Sequence, residues 1–203
     1  MEPDVNDWRP IPGETPIDPS HLRDRSITTR RELNQAEARN IRKVHVKYLA
    51  VAPTRRIAPF DYDWLLRLHR EMYCDVWKWA GQPRQGDLNI GVAWQQVPQQ
   101  VLALTDDLPC WGESGMSLLE QSARLHYRAV WIHPFWNGNG RWARLLANIW
   151  LGRHKNPLIL WPESIGQESP IRNDYLRALN AADNGDFDPL LALHSQHTKR
   201  QSE

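Results

Sequence analysis

The sequence predicts an all-α protein, a helical bundle decorated by one small β-hairpin flap. Three observations predict it. Apolar residues recur at helical spacing through most of the chain. Caps and prolines divide that pattern into segments of ordinary helix length. A single strand-like pair stands out, Asp87 to Ile90 and Val92 to Gln95, turning at Gly91.

The elements follow in order. Residues 1–24 hold five of the 15 prolines (Pro3, Pro10, Pro12, Pro16, Pro19), which blocks helices and predicts an extended arm. From Arg31 to Val51, Leu33, Ala36, Ile41, Val44, Tyr48 and Leu49 form a helical stripe that Pro53 ends. Asp61 to Trp79 reads as a second helix with Asp61 as N-cap and Trp64, Leu65, Leu68, Met72, Val76 and Trp77 buried. The flap follows, rich in glycine and proline. Helices are then expected over Pro98–Leu108, Met116–Val130, Asn139–Arg153, Pro170–Ala182 and Pro189–His197, with a frayed tail after them.

Composition narrows the function. The 203 residues suit one domain with a real core, and a formal net charge of +1 gives no field that favours nucleic acid, so no direct nucleic-acid binding is expected. No segment supplies the roughly 20 apolar residues of a membrane span, and the opening MEPDVNDWRP has no apolar signal region. A cytoplasmic setting is expected. Cys74 and Cys110 lack metal-site spacing and read as reduced thiols. Most of the 11 tryptophans read as core.

The chemistry lies in His133-Pro-Phe-Trp-Asn-Gly-Asn-Gly-Arg-Trp-Ala-Arg144. His133 sits between a helix and Pro134, and its imidazole suits proton abstraction near neutral pH. Gly138, Asn139 and Gly140 can turn successive N–H groups into one anion nest that opens into a helix N-terminus. Arg141 and Arg144, three apart on the first turn, can clamp one anion. A lone histidine, a Gly-Asn-Gly turn or an arginine pair is usually structural. Together they suit one polyphosphate and one proton.

This run resembles the signature of the Fic (Fic/Doc) family, His-x-Phe-x-(Asp/Glu)-Gly-Asn-Gly-Arg-x-x-Arg, at every position but one. LHREMYCDVWKWAGQPR and YLRALNAADNGDFDPLLALH are similar to the family's pre-flap and closing helices, and GETPIDPSHLRDRSITTRRELN is similar to its mobile mystery protein B branch. The resemblance implies a Fic-type bundle over 55–197, after a helical segment at 25–54, with 198–203 as tail. It implies an AMP transferase: ATP as donor, a target protein's hydroxyl as acceptor, His133 as base. It places the phosphates on Gly138, Asn139 and Gly140, with Arg141 at the β- and Arg144 at the γ-phosphate. Asn89, Ile90, Gly91 and Val92 would hold the target. Mg²⁺ would meet Asn137, where the family has a carboxylate, so weak metal binding is expected. Trp136 and Trp142 fill variable slots, open to packing or ligand contact.

Many family members also carry an inhibitory Ser/Thr-x-x-x-Glu motif whose glutamate pairs with the second motif arginine. Thr28 to Glu32 comes close, with Leu33 where the motif continues with Gly or Asn and Asn34 one place late, so Glu32 is the candidate brake on Arg144. Thr29 and Glu32 equally spell a capping box. Without an internal brake, the resemblance implies a separate antitoxin and a toxin role. Two other readings stay open: phosphotransfer or UMP transfer on the same fold, and a weakly catalytic nucleotide-binding module.

Overall fold

A computed structural model describes Trp8 and residues 14–198. Among the described residues seven α-helices run in order: α1 (Arg30–Leu49), α2 (Tyr62–Tyr73), α3 (Val97–Glu113), α4 (Leu118–Ile132), α5 (Asn139–Arg153), α6 (Pro170–Asp183) and α7 (Asp188–Gln196). The expected all-helical bundle is observed, and α5 has the expected bounds. Residues 1–7 and 9–13, half of the proline-rich arm, and residues 199–203 of the tail lie outside the described residues.

Local chemistry explains the boundaries. Thr29 and Glu32 form a complete capping box at the start of α1. Asp61 caps α2 by accepting the Trp64 N–H, as predicted. That helix ends at Tyr73, six residues short of the predicted Trp79. Beyond it, the Val76 and Trp77 N–H groups both turn back to the Tyr73 carbonyl. Arg23 donates to the Val76 carbonyl and Lys78 to the His21 carbonyl, so residues 21–23 claim this backbone instead.

The predicted hairpin is a loop without ladder pairing. Among the described residues only two isolated bridges occur, Leu22 with Trp77 and Ile159 with Thr198. Arg84 explains the difference. Its guanidinium takes the Gly86 and Val92 carbonyls that a ladder would need, while Asp87 accepts the Trp94 N–H.

Helices α4 and α5 share the most extensive packing. Around them a main core gathers Trp64, Leu68, Met72, Phe135, Trp142 and Leu146. A smaller core under α6 and α7 joins Ala123, Ile165, Tyr175, Ala178 and Leu190. Residues 133–138 join α4 to α5, and Phe135 and Trp142 anchor the run 133–144 in the main core.

Candidate active site

His133 is the C-cap of α4 and adopts φ 52°, ψ 58°, a left-handed conformation rare outside glycine. Three contacts over-determine it. Its N–H reaches the Ala129 carbonyl, its own carbonyl accepts Arg84 Nε at 2.7 Å, and its Nδ1 lies 3.3 Å from the Val130 carbonyl. That carbonyl can only accept, so Nδ1 carries the proton and Nε2 keeps its lone pair. Nε2 lies 3.3 Å from Thr15 Oγ1. Burial, opposed by the Val130 carbonyl and aided by the Arg84 charge, lowers the His133 pKa to about 4, so the ring is neutral near pH 7.

Asn139 staples the loop that follows. Its side-chain oxygen accepts the Phe135 N–H at 2.9 Å and its amide donates to the Phe135 carbonyl at 2.8 Å. The Asn139 side chain is therefore committed to the loop rather than free for phosphate, and Asn139 has only its backbone N–H to offer the nest. Gly138 caps α5 at φ 79°, and a Cβ there would come within 2.7 Å of the Tyr73 ring. Only glycine fits. Among the described residues no side chain caps this helix, which leaves its first-turn N–H groups available to an anion.

His69 supports the nest from below. It is fully buried, accepts the Gly81 N–H at Nδ1 and donates from Nε2 to the Asn137 carbonyl at 3.0 Å. Burial pushes its pKa to about 3. Asn137 Oδ1 accepts the adjacent Gly138 N–H at 2.6 Å.

Arg141 and Arg144 line one cavity of about 1180 Å³ together with His133, residues 137–140, Ile90 and Gly91. Their surroundings differ. Arg141 forms a 2.6 Å ion pair with Glu37 of α1. The other Glu37 oxygen accepts the Trp77 indole N–H at 2.7 Å, leaving that side chain 3 % exposed. Among the described residues no carboxylate reaches Arg144. Its guanidinium lies 5.7 Å from the Tyr175 ring centre.

Tyr175 begins a buried polar chain. Its hydroxyl is 3.0 Å from His126 Nε2, His126 Nδ1 is 3.0 Å from His194 Nε2, and His194 Nδ1 is 3.1 Å from Ser122 Oγ. Burial lowers both histidines, His194 to about 3. Neutral rings fit one proton per link, each donating away from Arg144. The Tyr175 lone pairs then face the guanidinium.

The candidate brake differs from expectation. Glu32 spends its carboxylate on the Thr28 and Thr29 N–H groups, and it does not line the cavity. The carboxylate that meets a motif arginine is Glu37, five positions on, and its partner is Arg141. The flap residues Ile90 and Gly91 line the cavity, whereas Asn89 and Val92 do not. A Cβ on Gly91 would stand 2.5 Å from the His133 Cβ, so the flap crosses the base at backbone distance. Trp142 is buried with its indole N–H on the Leu65 carbonyl, and Trp136 lies over Gly86.

Residues 59–151 match the Fic/DOC family model. The protein adenylyltransferase Fic of Nematostella vectensis is 36 % identical over 160 residues, 76 % of this chain and 36 % of its own length. The protein adenylyltransferase fic-1 of Caenorhabditis briggsae is 32 % identical over 124 residues, 59 % of this chain and 23 % of its own. The chain thus spans about a quarter to a third of these curated relatives. In structure it is similar to Fic-1 (aa134–508) of C. elegans, with TM-score 0.65 and 25 % identity over 93 % of this chain and 51 % of that one. BepC of Bartonella tribocorum, determined with bound AMPPNP, shares the fold at TM-score 0.66 and 17 % identity over 98 % and 100 %. Signature, bundle and relatives agree: the chain belongs to the Fic/DOC family.

Proposed function

We propose that the chain is a nucleotidyltransferase that moves AMP from ATP to a hydroxyl on a protein. One observation carries the reading: a neutral base, an uncapped helix N-terminus and two arginines share one cavity. The relatives named protein adenylyltransferase support it. So does BepC, a fold neighbour that holds AMPPNP.

In this reading the target hydroxyl donates to His133 Nε2. As its oxygen attacks the α-phosphorus, His133 takes the proton and the bond to the β-phosphate oxygen breaks. Pyrophosphate leaves. The α5 N-terminus, Arg141 and Arg144 stabilise the charge on the phosphates. Ile90 and Gly91 offer backbone to an extended target segment, with Asn89 and Val92 beside them.

The donor set fits Mg²⁺ only weakly. Among the described residues no three-carboxylate or histidine cluster exists, and Asn137 brings a neutral oxygen already bonded to Gly138. Asn137 would be a single protein ligand, with the phosphates supplying most of the rest, and the ion would neutralise phosphate charge. Among the described residues no helix is long and apolar enough to cross a membrane, which is compatible with a cytoplasmic setting. In this reading Glu37, paired with Arg141, would act as a brake within the chain, and a separate antitoxin would not be needed to supply that carboxylate.

The test is incubation with α-labelled or γ-labelled ATP, Mg²⁺ and cell lysate, with His133→Ala as control. Protein label from the α position alone supports AMP transfer. Label from γ supports phosphotransfer. ATP binding without label supports a binding module.

A further inference from the structure

We propose that Thr15 is itself an acceptor of this site, taking AMP in cis. The proposal rests on the transfer reading above.

Thr15 Oγ1 lies 3.3 Å from His133 Nε2, although the two residues are 118 apart in sequence. The Val130 carbonyl fixes the His133 proton on Nδ1, so the Thr15 hydroxyl is the donor and Nε2 the acceptor. This is the relation of a nucleophile to its general base. Thr15 is only 5 % exposed to solvent, and it lines the same cavity as Gly138, Gly140, Arg141 and Arg144. The hydroxyl therefore meets the base inside the cavity that the anion nest also lines.

The chain around Thr15 holds it there. Pro16 restricts Thr15 to extended backbone, the shape a target segment needs beside the flap. On one side Glu14 forms an ion pair with Arg30 of α1. On the other, Asp18 caps a short 3₁₀ turn, and residues 21–23 are bonded to Val76 and Lys78. An acceptor tethered at both sides avoids the entropic cost of binding a separate protein. A plug needs only bulk at this position. A hydroxyl aimed at the base lone pair supplies the reacting group as well.

The step balances. A bond forms between Thr15 Oγ1 and the α-phosphorus. The α-phosphorus bond to the β-phosphate oxygen breaks, pyrophosphate leaves, and the Thr15 proton passes to His133 Nε2. The product is an AMP ester of Thr15, one per chain.

The experiment uses the full chain carrying Glu37→Gly, which frees Arg141, with α-labelled ATP and Mg²⁺, alone and with cell lysate. Peptide mapping should place one AMP on Thr15, at a rate independent of protein concentration. Thr15→Ser should keep the label. Thr15→Val should lose it while lysate proteins remain labelled. His133→Ala should lower both by about 10²–10⁴-fold, the usual contribution of a general base. Labelled lysate proteins with an unmodified Thr15 would overturn the proposal and leave the transfer reading standing. A Thr15 rate that scales with protein concentration would overturn transfer in cis. Label on neither arm nor lysate would overturn the transfer reading, and this proposal with it.

Discussion

Glu37 of α1 and Arg141 of α5 form a 2.6 Å ion pair at the start of the helix that would receive phosphate. The pair is asymmetric. The Glu37 side chain is 3 % exposed and also bonded by Trp77, whereas Arg141 is 34 % exposed. Nucleotide that recruits Arg141 must displace Glu37 from it. Removing the carboxylate by Glu37→Gly should therefore tighten ATP binding about ten- to a hundredfold, from roughly 1.5–3 kcal/mol for a charged hydrogen bond. Titration calorimetry checks this. An unchanged Kd would show that Arg141 is not needed for nucleotide.

Arg84 links the flap to the base. Its fully buried side chain binds the carbonyls of His133, Gly86 and Val92. Arg84→Met leaves those carbonyls without this donor and should cost about 3 kcal/mol of stability. It should also lower kcat/KM for a protein acceptor about a hundredfold with little change in ATP affinity, because the flap and the His133 loop lose register. Equal losses in both quantities would show a general folding defect instead.

What the sequence shows of this site follows from range. Asn139–Arg153 was readable because its signals are local: a glycine cap, an apolar face and a basic last turn. His133, Arg141 and Arg144 share one short run. Glu37 is not legible from any motif, although the sequence carries a signal for it. It falls in the buried stripe of α1 between Ala36 and Asn40, where a carboxylate needs a partner. The partner lies 104 residues away, beyond any motif window. Glu32 has a spacing that fits two motifs, and the local one, the capping box, is what forms. The hairpin failed for a related reason. Alternation around Gly91 suggested pairing, but the carbonyls go to Arg84 and His133 lies against the glycine.

Asn137 sets the metal dependence. Its neutral oxygen already accepts the Gly138 N–H at 2.6 Å. Asn137→Asp keeps the shape and adds a charge for Mg²⁺. The Mg²⁺ concentration for half-maximal activity should fall about tenfold, the effect of roughly 1.4 kcal/mol at the metal. An unmoved metal curve would remove Asn137 from the ligand set.

Tyr175 tests the buried chain behind Arg144. Tyr175→Phe removes the oxygen 3.0 Å from His126 Nε2 and leaves that nitrogen unpartnered, at about 1–3 kcal/mol of stability. Arg144 is expected at the γ-phosphate, which ADP lacks. The variant should therefore lose affinity for ATP about tenfold and keep its affinity for ADP. If both nucleotides weaken equally, Tyr175 does not act through Arg144.

Acid should destabilise the fold through its buried histidines. Burial lowers His69 and His194 to about 3, His133 to about 4 and His126 well below the ordinary 6.5. Above pH 6.5 both folded and unfolded chains keep these rings neutral, and stability is at its full value. As pH falls below 6.5, the unfolded chain takes up protons that the folded chain refuses. His69, His133 and His194 then each remove about 1.4 kcal/mol per pH unit, until the folded ring also protonates near pH 3 to 4, and His126, lowered by burial, adds to the loss in the same direction. The urea midpoint should fall steadily from pH 7 to pH 4.5, with a slope at pH 5 of more than one proton. His194→Gln should flatten that slope by about one proton. A midpoint flat across this range would mean the rings are charged in the fold, and the one-proton chain from Tyr175 to Ser122 would then be wrong.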